Sequence, residues 1–310
     1  MTPGNAAPQQ HARSHLIAAF AAVYVVWGST YLAIRYGVES IPPFALAATR
    51  FLVSGALLYA WARWRDSSAP TRRQWRDAAI AGVFMLTGGN GAVVWAEQRV
   101  PSGIAALLAA TVPLWMVLID WLRPRGRRPT GAVLAGVLIG LCGLVLLVWQ
   151  PNANDAGGAV DALGAAVLVA GSLMWAIGSV YNRHGDHPGS APMSTAMQMF
   201  GGGAALLLLA LATGEVAHFS MANVTRASAL GWLYLVVFGS LLGFTAYIYL
   251  LRATTPAKAS TYAYVNPLVA VVLGWAIASE PITWRTIVAA GVILVGVALI
   301  TIGQPEAPAP

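Results

Sequence analysis

One arginine, Arg50, stands inside an otherwise apolar stretch, where a guanidinium costs roughly 2.5–3.5 kcal/mol, and more without a partner. It must therefore face protein, and three roles suit it: a salt bridge between helices, capture of an anionic group, or gating. Glu97 ends a later apolar stretch near the same surface and is placed to pair with it; at 1.5 Å per residue Arg50 lies roughly 9 Å deep. Helix breakers form a second group. The run Gly88-Gly89-Asn90-Gly91, then Pro113, then Asn266-Pro267 each interrupt an apolar run. Unwound backbone is tolerated at such depth only where it is buried in protein or lines a cavity. The Asn90 and Asn266 amides also need partners in a dry setting, so these positions are read as binding or gating positions. Aromatic rings are the third group: Trp27, Tyr31, Trp95, Trp175, Tyr181, Tyr247, Tyr262 and Tyr264 come from segments that would have to converge. Catalytic machinery is not legible. There is no His-Glu-x-x-His, no pair of aspartates within an apolar run, and none of the 5 histidines lies in mid-segment, so neither a catalytic residue, a metal site nor a cofactor is expected.

The elements that must position these side chains are long and greasy. With 58% hydrophobic residues, 9% charged ones and 12 Trp, a soluble globule could not hide the apolar surface, and the lipid bilayer has to be the solvent. Ten stretches approach the roughly 20 residues that a spanning helix needs. They are 16–36, 44–64, 75–98, 102–122 and 130–149, then 159–182, 194–213, 230–251, 257–278 and 284–302. Unbroken runs such as 136–148 exclude a barrel, whose strands alternate in polarity. An all-α integral membrane bundle of ten transmembrane helices is expected. The lone Cys142 is expected to pack, and glycines such as Gly136 and Gly140 to allow close helix contact.

Basic residues set the orientation, because they stay on the cytoplasmic side. One side collects thirteen of them: Arg13, Arg63, Arg65, Arg72, Arg73, Arg76, Arg123, Arg125, Arg127, Arg128, Arg183, Arg252 and Lys258. The other collects Arg35, Arg99, Arg226 and Arg285, with Arg50 inside a segment. Both termini are thus expected in the cytoplasm. The net charge of +7 is topological, and no nucleic-acid partner is implied. Residues 1–14 and 303–310 read as disordered tails.

Two halves, 15–150 and 159–302, echo each other. WGSTYLAIR from Trp27 lies on WAIGSVYNR from Trp175, with Trp and Arg eight residues apart in both, and Thr111-Val112-Pro113 matches Val265-Asn266-Pro267. Five segments per half is odd, so the second copy must insert upside down, and inverted repeats around a midplane site are how many carriers expose one pocket alternately to two sides.

Several motifs resemble the ten-helix EamA-type branch of the drug/metabolite transporter superfamily. They are Trp27-Gly28-Ser29-Thr30-Tyr31, Arg50-Phe51, Gly89-Asn90-Gly91, Ala96-Glu97 leading to Pro101-Ser102-Gly103, Phe238-Gly239-Ser240, and the run from Ser260 through Asn266-Pro267 to Glu280. The acidic turn that the family often carries after the fourth helix has no match near Gly126. The resemblance implies export of small organic molecules from the cytoplasm of a bacterium through its plasma (inner) membrane, driven by a proton gradient or a counter-solute. A cavity walled by aromatic rings with few fixed charges suits amphipathic or aromatic solutes, amino acids among them. A non-transporting receptor or assembly partner, and a membrane-embedded enzyme, are the alternatives. Oligomeric state is left open.

Overall fold

The computed structural model describes residues 6–65, 69–122, 128–148, 161–188, 190–254 and 262–303. Among them there is no strand. Among the described residues seven helices are long and apolar enough to cross a membrane, and Gly131–Gly143, Val265–Ala278 and Trp284–Ile300 are shorter apolar stretches. In chain order the elements are α1 (Ser14–Gly37), α2 (Pro43–Arg65), α3 (Arg72–Ala96), α4 (Ser102–Ala109 with Val112–Leu122), α5 (Gly131–Val148), α6 (Ala162–His184), α7 (Ala191–Ala212), α8 (Arg226–Ala253), α9 (Tyr262–Ala278) and α10 (Trp284–Gly303). Helix extends upstream of α1 as far as Ala6, into the segment expected to be a tail.

Polar caps punctuate the apolar runs. Thr71 and Gln74 form a reciprocal capping box at the start of α3, Asp161 accepts from Gly164 N at 2.7 Å before α6, and Ser190 and Thr225 do the same for α7 and α8. The start of α4 has no such side chain of its own. Glu280, from the turn between α9 and α10, supplies it: Oε1 accepts from Ser102 N (2.9 Å), and Oε2 from Gly103 N (3.2 Å) and Ser102 Oγ (3.0 Å). Near the N-terminus of α2, Glu215 accepts from Ala45 N at 3.0 Å.

Helix partners follow the small residues. The helices α5 and α10 cross where a Cβ on Gly136 would stand 2.6 Å from the Gly296 carbonyl, and α2 and α7 run side by side. Further neighbours are α1 with α8 and α9, α6 with α3 and α4, α2 with α8, α3 with α7, and α4 with α9. Large apolar side chains point outward, Leu138, Leu208, Val272 and Ile287 among them, as lipid requires. Cys142 is exposed too, which corrects the expectation that it packs inside: it lies on the outward face of α5, whose inner face is spent on α10.

Three stretches are wound as π-helix: Ala22–Val26 in α1, Val83–Asn90 in α3 and Leu235–Phe244 in α8. Wide turns leave carbonyls off the i→i−4 ladder and often mark working sites. The Gly88-Gly89-Asn90-Gly91 break is therefore a widened helix with no chain break. The expected interruption at Asn266-Pro267 does not occur either, since α9 runs through Pro267. In α4 the break is real: the helix stops at Ala109 and restarts at Val112, with Pro113 buried in the new first turn, where its missing N–H costs nothing.

Candidate functional site

Between these helices lies a cavity of about 710 Å³, mouth included. Its walls come from α1 (Trp27, Thr30, Tyr31, Ile34), α2 (Arg50, Phe51), α3 (Gly89, Asn90, Val93), α4 (Ala109, Val112), α6 (Leu168, Gly171, Ser172, Trp175), α8 (Gly239, Phe244) and α9 (Tyr262, Asn266). The lining extends from mid-bundle toward the end where α1 finishes and α6 starts. Its floor is a block of rings. Trp27 meets Trp175 edge-on at 5.6 Å and Tyr262 at 5.5 Å, and Tyr247, fully buried, packs beneath at 4.9 Å from Trp27 and 5.6 Å from Tyr262. Edge-to-face contacts of this kind add about 0.5–1.5 kcal/mol each beyond area burial. Trp27 Nε1 donates to the Gly239 carbonyl (3.1 Å), and Tyr247 shares a hydrogen bond with Ser179 (3.2 Å).

Glycine makes room for this floor. A Cβ on Gly89 would stand 2.8 Å from Trp175 Cε3, and one on Gly243 would stand 2.5 Å from Trp27 Nε1. At Gly239 it would stand 2.9 Å from an Arg50 nitrogen, so the π-wound part of α8 also seats the guanidinium.

Arg50 is 3% exposed. Its Nε donates to Ser240 Oγ at 2.7 Å, one terminal nitrogen donates to Asn90 Oδ1 at 3.4 Å, and its charge sits 4.6 Å from the Phe51 ring centre. The expected pair with Glu97 does not form. Among the described residues the ion pair within 4 Å is Arg76 with Asp77. Glu97 points elsewhere because it lies past the last turn of α3, where Arg35 donates to its backbone carbonyl (3.0 Å) and both carboxyl oxygens are buried without a hydrogen-bond partner. Tyr31, Arg35 and Glu280 are its charged or titratable neighbours.

Other expected site residues divide in the same way. Trp27, Tyr31, Arg50, Asn90, Trp175, Tyr262 and Asn266 line the cavity, and Tyr247 underlies it. Trp95 does not reach it; it packs with the α4–α6–α10 core under the Arg99 guanidinium. Tyr181, two turns past Trp175, donates to Asp77 at the far end of α6 (3.2 Å). Pro113 and Pro267 are buried beside the lining without joining it. Asn266 takes the amide orientation in which Nδ2 donates to Val23 O (3.2 Å) and Tyr24 O (3.0 Å), satisfying carbonyls that the π-wound part of α1 frees. The side chain of Tyr264 lies outside the described residues. Sequence reasoning missed Ser240, Phe244 and Ser172. Ser240 had a signal, since Phe238-Gly239-Ser240 was among the motifs, but no rule of spacing ties it to Arg50.

The family model for EamA-like transporters matches residues 14–149 and 162–302. "Uncharacterized inner membrane transporter YedA" of Escherichia coli (strain K12) is 39% identical over 295 residues, covering 95% of this chain and 93% of that protein. "Protein PecM" of Dickeya dadantii (strain 3937) is 28% identical over 288 residues, covering 89% and 88%. A solved structure titled "Crystal structure of protein" superimposes with a TM-score of 0.65 at 22% identity over 94% of this chain and 97% of that one, a likeness of fold. A multi-pass helical bundle around a ring-lined cavity, matched end to end by this family and these relatives, makes the chain a membrane transporter belonging to the EamA-like transporter family.

Proposed function

We propose that this protein exports small organic solutes with aromatic or amphipathic bodies from the cytoplasm across a bacterial plasma membrane by alternating access. Ten spans form two inverted five-helix repeats, 15–150 and 159–302, with both termini cytoplasmic. The observation that carries this reading is the meeting of Trp27 with Trp175 at 5.6 Å on the cavity floor. These residues are equivalent in the two halves of the sequence, and equivalent side chains touch where they flank a two-fold axis. The helix contacts support the same axis. Exchanging α1 to α5 with α6 to α10 turns the α1–α9 contact into α6–α4, α1–α8 into α6–α3 and α2–α8 into α7–α3, and each pair exists. The π-wound stretches of α3 and α8 are likewise equivalent. The inner-membrane name of the relative YedA supports the location. The cavity lining, from mid-bundle to the end of α1, belongs to the outer half in this orientation, with the ring block closing the inner half.

Glu97 is the group we assign to proton coupling. Its carboxyl is buried without a hydrogen-bond partner, and Tyr31, a lining residue of the cavity, is among its titratable neighbours. Purified protein in liposomes loaded with amino acids, aromatic metabolites and cationic dyes is expected to release one class, faster under an imposed proton gradient. Retention of the whole panel would remove the transport reading.

A further inference from the structure

The cavity has a charge of one sign. Among the described residues Arg50 is the one formally charged member of its lining, beside rings, aliphatic side chains and the neutral polar groups of Thr30, Asn90, Ser172 and Asn266. A guanidinium presents five N–H donors. Ser240 and Asn90 take two of them, and among the described residues no carboxylate lies within 4 Å. Burying a cation with donors unspent and no counter-charge is costly, and such groups are retained where an anion completes them. A planar fork of donors matches a carboxylate in two-point contact. Asn90 adds to the match: with Oδ1 accepting from Arg50, its Nδ2 remains a donor on the same wall. Tyr31 lines the same space.

We infer that the solute is an organic acid: its carboxylate docks on Arg50 and Asn90, and its apolar or aromatic body lies against Trp27, Trp175 and Phe244. This deepens the transport reading and rests on it. A second consequence separates acids from amino acids. A zwitterion brings an ammonium as well, and the lining offers it no carboxylate, so a plain carboxylate should bind better than its α-amino relative, and cations least.

The test uses the full-length protein in detergent and follows thermal unfolding and the intrinsic tryptophan fluorescence, to which Trp27 and Trp175 contribute among the 12 Trp of the chain. Phenylacetate, phenylacetamide, phenethylamine, L-phenylalanine and inorganic phosphate are titrated in turn. Phenylacetate is expected to shift both signals, with phenylacetamide and L-phenylalanine weaker by roughly 10- to 100-fold and phenethylamine inert. Arg50→Met should lose the discrimination between acid and amide, and Arg50→Lys should keep part of it. Equal response to acid and amide in the wild-type protein, which needs no variant to fold, overturns the inference. Equal protection by phosphate and phenylacetate overturns it too, reducing the site to a simple anion well. Liposome efflux of the same compounds separates the two readings. Movement of dyes or amines with no acid binding leaves the transporter and removes the carboxylate site, whereas acid binding with no efflux of any compound leaves the site and removes the transporter.

Discussion

At the residue scale, two buried ionisable side chains, Arg50 and Glu97, have no counter-charge within 4 Å among the described residues, and each answers a separate experiment. Arg50 lines the cavity, whereas Glu97 sits behind its wall with both oxygens unpaired. The groups facing Glu97 are Tyr31 and Arg35 of α1 and Glu280 of the turn before α10. Glu97→Gln keeps the volume and removes the titration. It is expected to abolish the stimulation of efflux by a proton gradient while leaving exchange of labelled for unlabelled solute intact; unchanged stimulation would rule Glu97 out as the coupling group. Beneath the cavity, Tyr247 is fully buried and hydrogen-bonded to Ser179. Tyr247→Phe removes that bond and should cost about 0.5–1.5 kcal/mol. Tyr247→Ala also opens a void under Trp27, costing about 3–5 kcal/mol by analogy with Phe and Trp truncations, and should let solute leak passively. Thermal midpoints and leak rates in liposomes check the order of the two.

At the scale of elements, the site depends on helices coming closer than ordinary side chains permit. Gly89 is where α3 touches α6, and a methyl there would stand 2.8 Å from the Trp175 ring. Gly89→Ala is expected to destabilise by about 1–3 kcal/mol through overpacking and to weaken solute binding by tilting the floor. Gly131→Ala, where a methyl meets nothing within 4 Å, serves as the matched control and should be neutral or slightly stabilising. The start of α4 is held from a distance by Glu280 through three hydrogen bonds. Glu280→Ala strands the Ser102 and Gly103 N–H groups beside the buried end of the helix. The expected loss is about 1–3 kcal/mol, read as a lower unfolding midpoint, with faster amide exchange confined to the first turn of α4.

At the scale of the whole molecule, orientation is the statement most easily checked, because Cys142 is the lone cysteine and can be replaced. In a Cys142→Ala background, Ala217→Cys should react with an impermeant maleimide in intact cells, and Ala69→Cys after permeabilisation alone. The reverse pattern would invert the proposed direction of export. Both positions are exposed between spanning helices, Ala69 outside any helix and Ala217 in the short helix Glu215–His218.

Hydrophobicity and the rarity of charge were enough, without coordinates, to make the chain helical and membrane-embedded, because lipid leaves unpaired backbone no other choice. The need of Arg50 to face protein was equally legible, since hydrocarbon tolerates a guanidinium poorly, and the likeness of Trp27 to Trp175 was visible as a repeated spacing. What the sequence could not carry was direction and partnership. Whether Arg50 reaches Glu97 or Ser240 depends on how helices rotate about their own axes, which periodicity leaves free within a wholly apolar segment. The π-wound turns of α1, α3 and α8 shift that rotation further, because they alter the number of residues per turn. For the same reason Trp95 and Tyr181, on helices that do line the cavity, face away from it, and Asn266 serves the carbonyls of α1. Residue type decided which groups had to be buried together; helix rotation, set by glycine contacts between elements far apart in the chain, decided which of them share a cavity.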